Sequence, residues 1–347
     1  MKPATFNKAM VVAALLFSVA SLAVIAARDA ARSRATAALQ VSVTSTVGPG
    51  TYRLTPAVAP RITRPKPVGY QTFYETARRD TQVASRQAYY RFDWSQIETA
   101  PGEFNFAVFD AAYTAAKAAG QRFNFRIMPF EDGNAGPVGL KTLAGYAFKF
   151  RGNPTWQPNL DDSAVQADLD KLLAAMGARY AAGTATIDVG WFGPYGEWSN
   201  YKMDVPPPLP STATWKWLIA EHQKYFPESY TIVQEGLAGE WNDLAKFNYA
   251  LSVGCGVRWD SWHSGNAWQE QEHQASINAC TATQQWTKAP MILEPWDTSS
   301  WSAADWQQAL AWAKTSIHAW MVSTKGQKVP PAQLPAFRQL CTGLGTY

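Results

Sequence analysis

The sequence predicts a (β/α)8 barrel of the α/β class. Three observations lead there. First, short apolar runs alternate with amphipathic helical stretches, the pattern of a parallel sheet with crossover helices. Second, eight such runs fall within about 260 residues, the size of a barrel of this kind. Third, several runs end in a carboxylate beside Gly or Pro, the place where such barrels carry chemistry. A doubly wound open sheet is the alternative, but no GxGxxG and no GxxxxGK[ST] follows any run, which argues against a nucleotide-binding version. With 347 residues, 47% of them hydrophobic and 17% charged, the chain has the composition of a folded protein, not a disordered one.

The expected strands are Val68–Phe73, Gln87–Phe92, Phe123–Pro129, Thr186–Phe192, Tyr230–Gln234, Tyr249–Val253, Pro290–Glu294 and Ile317–Val322. Each is short, rich in β-branched or aromatic residues, and bounded by turn residues. The expected helices are Ala107–Ala119, Ser163–Ala181, Thr212–Tyr225, Trp241–Phe247, Gln269–Trp286 and Ser302–Thr315. In the last, Asp305 stands three residues after Ser302, close to a capping box. The stretch Glu131–Asp162 is rich in Gly, Pro and Asn and follows the third strand, so it reads as a long loop over the catalytic face. Lys202–Ser211, stiffened by Pro206–Pro208, reads as a second rim loop.

The N-terminus reads as an export signal. Lys2 and Lys8 precede an apolar run from Ala9 to Ala27, followed by Arg28, Arg32 and Arg34. Cleavage near Ala26–Ala27 or after Ala37 is one outcome; an uncleaved membrane anchor over residues 9–27 is the other. Residues 1–37 are thus leader or anchor, 38–65 a Ser/Thr/Pro/Arg-rich lead-in, and 66–347 the barrel, secreted or held outside the cytoplasm. Residues 1–91 carry 13 Lys/Arg against 3 Asp/Glu, while the rest carry 18 against 24. A mildly acidic body argues against a nucleic-acid partner. Cys255, Cys280 and Cys341 are an odd set; Cys255 with Cys280 is the expected disulfide, and three buried free thiols are the alternative. Four His without an HExxH motif argue against a catalytic metal, and no organic cofactor is implied.

Two carboxylates sit where barrel chemistry needs them. Glu197 lies in Ile187–Trp198, IDVGWFGPYGEW, where Gly193, Pro194 and Gly196 turn the chain sharply out of the fourth strand. Glu294 lies in Pro290–Asp297, PMILEPWD, where three apolar residues precede it and Pro295 stops the strand. A facing pair of this type suits glycoside hydrolysis: one acid protonates the leaving oxygen and the other attacks the anomeric carbon or activates water. Glu235 and Asp260, after the fifth and sixth strands, compete for one of these roles.

The stretch Tyr89–Asp110, YYRFDWSQIETAPGEFNFAVFD, resembles the R-x-x-W-x-x-I-E-P-x-x-G-x-F-x-F-x-x-x-D segment of the clan A retaining glycoside hydrolases, with Thr99 where that pattern often has Pro. QRFNFRIMPF is similar to their third strand, GPYGEW to the acid/base motif of their fourth, and ILEPW to the nucleophile motif of their seventh. The resemblance runs from about Pro65 to Val322 and is closest to poorly characterised bacterial barrel families of that clan. It implies Glu197 as acid/base, Glu294 as nucleophile, and Arg91 as the cation beside the nucleophile. It also shows a departure: Gly196 stands where most members carry the Asn that binds the sugar 2-hydroxyl.

Sixteen Trp form the compositional outlier. Aromatic faces stack on pyranose rings and indole N–H groups donate to hydroxyls, so tryptophans at strand ends suggest a carbohydrate cleft. Trp94, Trp198, Trp262, Trp296 and Trp320 are the candidates, with Arg258, Asp260 and His263 as further substrate contacts. The expected function is an exported retaining glycosidase acting on a poly- or oligosaccharide. The alternative is a carbohydrate-binding barrel at the cell envelope that does not cleave.

Overall fold

A computed structural model describes residues 64–74, 83–239, 241–260, 267–295, 301–315, 317–324 and 329–345. The segments expected as leader or anchor and as lead-in, as far as residue 63, lie outside them. Among the described residues, no helix is long and apolar enough to cross a membrane.

Eight parallel strands close into a barrel. They are β1 (Gly69–Phe73), β2 (Gln87–Asp93), β3 (Arg122–Met128), β4 (Thr184–Asp188), β5 (Tyr230–Gln234), β6 (Gly256–Asp260), β7 (Met291–Glu294) and β8 (Met321–Thr324). Each pairs with the next in the chain, and β8 returns to β1 through Gly69 opposite Met321. Among the described residues, a single helical turn, Trp94–Ile97, follows β2, and longer helices come after it: α1 (Ala107–Ala118), α2 (Ser163–Tyr180), α3 (Thr212–Tyr225), α4 (Leu244–Ser252), α5 (Ala267–Thr283), α6 (Ala303–Thr315) and α7 (Leu334–Gly343). Several of their starts are capped by side chains. Asp162 accepts from the amides of Ala164 and Val165, Ser211 from Thr214, and Asp243 from Lys246. At α6 the amide of Asp305 donates to Ser302 Oγ while Ser302 N donates back to Asp305.

Several expected elements are corrected: the fourth strand is Thr184–Asp188 and stops short of Phe192, the eighth is Met321–Thr324, and the helix expected over Trp241–Phe247 is Leu244–Ser252. Tyr249–Val253 is the end of α4, and the sixth strand is Gly256–Asp260. Phe247, Ala250 and Leu251 face the core three and four residues apart, which is helical spacing; a short apolar run alone does not separate the two periods. The helix expected over Gln269–Trp286 stops at Thr283, because Gln284 takes a left-handed conformation (φ 48°). The long loop after β3 also holds a hairpin, Gly145–Phe150 with Asn153–Pro158. It is tied to the second rim loop where Asp204 N donates to Lys149 O and Lys149 N to Asp204 Oδ1.

Period-two alternation sends every second strand residue into the barrel. The floor at the N-terminal ends of β5, β7 and β8 is apolar: Tyr230, Ile232, Ala289, Ile292, Trp320 and Met321 pack together. Above it lies a fully buried polar layer of Gln71, Tyr89, Arg126, Asp188, Gln234 and Arg258. The outward residues, among them Phe123, Phe125, Ile187, Val233, Val257 and Leu293, join the main core with Leu169, Leu172 and Met176 of α2 and Trp215 and Leu218 of α3.

All three cysteines are free and buried, which corrects the expected Cys255–Cys280 disulfide. They pack as small apolar groups, and burial pushes the Cys255 thiol up to about 12.

Candidate active site

The site is built from inward positions at or near the C-terminal ends of several strands. Arg91 comes two residues after Tyr89 on β2, Asp260 ends β6 and Glu294 ends β7. Asp260 and Glu294 are opposite each other across the parallel ladder, so their side chains leave the sheet side by side. Glu197 arrives differently, on a turn beyond β4. Gly196 there has φ +67°, and a Cβ on it would lie 2.2 Å from the carbonyl oxygen of Gly190, so the turn closes only around a glycine. Trp198, the next residue, also takes a left-handed conformation (φ 55°) and is pinned by its indole, which donates to Val189 O at 2.6 Å.

One guanidinium joins the two glutamates. Arg91 donates from Nη1 to Glu197 Oε1 and from Nη2 to Glu294 Oε1, both at 2.6 Å. Burial works against the charge of Arg91, but Glu294, Tyr89 and Glu197 outweigh it and hold its pKa well above the ordinary arginine value. Arg126 adds a second donor to Glu197 Oε1 at 3.2 Å, and Arg258 approaches Glu294 Oε2 at 3.4 Å. Glu197, Asp260 and Glu294 each bring one oxygen within 4.8 Å of the other two. These oxygens are a set that could ligate a hard cation; here the Arg91 fork already sets positive charge against two of the three carboxylates. Glu235, just past β5, accepts from the amide of Asp260 at 2.9 Å, and burial raises its pKa, opposed by His273.

The layer beneath is a second ion cluster. Asp188 Oδ2 accepts from Tyr89 Oη (2.8 Å), Arg258 Nε (2.8 Å) and Arg126 Nε (3.2 Å). The guanidinium of Arg258 also lies 3.9 Å from the centre of the Tyr89 ring. These groups set the height and orientation of the arginines that reach the glutamates. Sequence reasoning missed Arg126 and Tyr89. Their signal was present, polar residues two apart on β2 and β3, but their carboxylate partners lie 62 to 99 positions away in the chain.

The expected residues divide into three groups. The structure brings together Arg91, Glu197, Asp260 and Glu294. Trp262, His263 and Trp296 lie outside the described residues. The others are corrected. Arg258 is fully buried below the mouth and supports Glu294 and Asp188 from beneath; a sugar cannot reach it. Trp94 is buried, and its indole donates to Glu98 Oε2 at 2.7 Å, while Gly102 N donates to Glu98 Oε1. The W-x-x-I-E-x-x-x-G segment is therefore a structural staple after β2. Trp198 is buried edge-on against Trp215, with ring centres 4.5 Å apart. Trp320 belongs to the floor, at the opposite end of the barrel from the glutamates, and donates to Trp286 O. In each case the indole N–H finds an acceptor inside the protein, which makes a large ring acceptable in the core. The exposed aromatics among the described residues are tyrosines: Tyr74, following β1, is 48% exposed and Tyr201, on the rim loop, 41%.

Fold and site together define a parallel β/α barrel with three carboxylates and a forked guanidinium at the C-terminal mouth. No family model matches the chain, and no curated protein does. Solved structures similar to it include a xylanase A of P fluorescens subsp. cellulosa in complex with xylopentaose: 11% identity over 75% of this chain and 86% of that one, TM-score 0.47. An endo-beta-1,4-glucanase from Xanthomonas axonopodis pv. citri is 9% identical over 80% and 95%, TM-score 0.47. The PgaB glycoside hydrolase domain from Bordetella bronchiseptica is 10% identical over 79% and 99%, TM-score 0.45. At such identities the likeness is one of chain path, and the chemistry must be read from the residues of this chain.

Proposed function

We propose that this protein is an exported glycoside hydrolase that cleaves a poly- or oligosaccharide with retention of configuration. The observation that carries the reading is the Arg91 fork, which holds Glu197 and Glu294 with oxygens within 4.8 Å. Retaining enzymes place their two carboxyl groups about 5–5.5 Å apart; inverting enzymes leave room for a water, at about 6.5–9.5 Å.

The roles follow from surroundings. The side chain of Glu294 is fully buried, at the end of a rigid strand, with Arg91 and Arg258 supplying positive charge. It is the nucleophile, attacking the anomeric carbon to form a covalent glycosyl-enzyme. The side chain of Glu197 is 12% exposed, on a turn beyond β4, and is the more accessible of the two carboxylates. It is the acid/base. Glu197 gives the proton to the leaving oxygen as Glu294 attacks. In the second half-reaction Glu197 takes a proton from water as that water attacks the same carbon, and Glu294 leaves. The basic flank and apolar run over residues 1–27 support export.

The test is hydrolysis of a panel of aryl glycosides and polysaccharides by the wild type, Glu294→Gln and Glu197→Gln. The expected result is turnover by the wild type, loss in Glu294→Gln, and in Glu197→Gln a loss that is smallest for the best leaving groups. A wild type that binds glycans without cleaving them would instead support the binding barrel, and full activity in either variant would refute the assignment.

A further inference from the structure

We propose that the floor of the barrel is a docking face for a membrane surface bearing anionic phospholipids, which leaves the mouth turned away from the bilayer. The inference stands apart from the hydrolase reading, because it concerns the end of the barrel opposite the glutamates.

Three observations lead to it. The first is charge. The short segments that lead into or open the eight strands hold, among the described residues, Arg64, Lys66, Arg86, Arg122 and Lys288 against one acid, Glu228. Lys117 and Lys314, in the last turns of α1 and α6, lie at the same end. A cation in a last turn answers the dipole of its own helix. The cations ahead of the strands have no such local reason. Arg122 is used internally, donating to Pro65 O at 3.0 Å and Thr184 O at 3.3 Å. Lys66, Arg86 and Lys288 are exposed, and among the described residues none of the three has an ion-pair partner.

The second observation is where the chain arrives. The guanidinium of Arg64 lies 5.4 Å from the centre of the Tyr230 ring, and Lys66 Nζ lies 4.8 Å from that of Trp320, both floor residues. Residues 64–66 are thus fastened at the floor, and the chain before them enters at this end. Residues 28–63 carry Arg28, Arg32, Arg34, Arg53 and Arg61 against Asp29, directly after the apolar run of residues 9–27. Basic residues beside an apolar segment favour contact with anionic lipid. This favours a bilayer over a soluble polyanion. The third is the rest of the face. Val68 and Val253 are exposed at the same end, and apolar contact adds to electrostatic attraction at a membrane surface. Asp260 and Glu294 close their strands at the other end, so docking covers no group of the site.

The experiment reconstitutes the full chain with vesicles of phosphatidylcholine, alone or mixed with phosphatidylglycerol, and follows backbone hydrogen exchange by mass spectrometry. This readout reports contact at the floor whatever holds the N-terminal segment. With phosphatidylglycerol, peptides over residues 83–88 and 284–290 should exchange several-fold more slowly, and those over 145–158 should not change. High salt should remove the difference. Each Lys or Arg near an anionic surface strengthens binding by about five-fold, so Lys66→Glu/Arg86→Glu/Lys288→Glu should weaken docking by about 100-fold or more and abolish the slowing. Lys141→Glu/Lys149→Glu/Lys202→Glu, on the loops of the mouth, makes the same change in net charge and should keep it. Thermal melts check both folds, and the corresponding Gln substitutions at the floor replace the first variant if it does not fold. Exchange that is the same on both vesicles overturns the proposal. Equal loss in the floor and mouth variants also overturns it, since that is an effect of net charge alone. Binding of heparin in solution without slowing on phosphatidylglycerol overturns it in favour of a soluble anionic polymer.

Discussion

Arg91 and Glu294 meet at 2.6 Å with neither side chain more than 2% exposed, and the second nitrogen of the same fork reaches Glu197. A planar fork can serve two carboxylates at once; an ammonium on a flexible stem cannot hold both in one geometry. Arg91→Lys should therefore lower kcat/KM by about 100-fold or more, the scale of losing one preorganised donor in an active site. Steady-state kinetics beside a thermal melt will show whether activity falls further than stability.

Asp188 is the shared anion of two fully buried arginines. Replacing it with Asn keeps the volume and removes the charge. Breaking a buried pair from one side costs about 3–5 kcal/mol, because the remaining charge stays buried. Asp188→Asn should destabilise the fold by about that much in urea unfolding. A change under about 1 kcal/mol would show that the arginines find other partners.

Gly196→Ala tests the turn that delivers Glu197. The new methyl group would lie 2.2 Å from Gly190 O at a left-handed φ, so the turn has to open. A loss of about 2 kcal/mol in stability is expected from strain of this kind, together with a fall in kcat. Gly133→Ala is the control, since its φ of +81° is similar but its Cβ would meet nothing within 4 Å.

Glu98 has its pKa raised to about 8, first by burial and then by the neighbouring Asp168. The folded state thus holds a proton that the unfolded chain releases near 4.5. This contribution to stability is complete below about pH 4.5 and disappears as the pH rises to about 8. Glu98→Gln should flatten unfolding free energy across that window, as read by urea titrations at several pH values.

His222 acts in the opposite direction. It is buried, its Nδ1 donates to Leu218 O, and its Nε2 accepts from Trp191 Nε1 at 3.0 Å, an arrangement that requires the neutral ring. Burial lowers its pKa to about 4. Stability from this group is full above pH 6.5 and is lost as the pH falls toward 4. His222→Gln, which keeps a donor and an acceptor, should remove that acid-side slope.

The barrel and the two glutamates were legible because local signals agreed. Short apolar runs ended in Gly or Pro, and each Glu stood at the stop. Arg91 was legible for the same reason, as a charged residue near the end of the expected strand Gln87–Phe92. The ion cluster below was not: Tyr89, Arg126, Asp188 and Arg258 meet only through barrel closure, and each alone looks like an ordinary polar residue in an alternating strand. The tryptophans misled because composition cannot separate a ring that stacks on a ligand from one whose N–H is satisfied inside. Trp94 with Glu98 and Trp198 with Val189 are of the second kind.

The apolar floor formed by Tyr230, Ile232, Ala289, Ile292, Trp320 and Met321 makes the barrel a cup and not a tube. No polymer can thread it. Whatever reaches Glu294 enters and leaves by one opening, so the leaving fragment and the incoming water share a doorway. The hairpin Gly145–Phe150/Asn153–Pro158 and Tyr201 stand on the rim, and they, not the pit, are where one length of chain would be told from another.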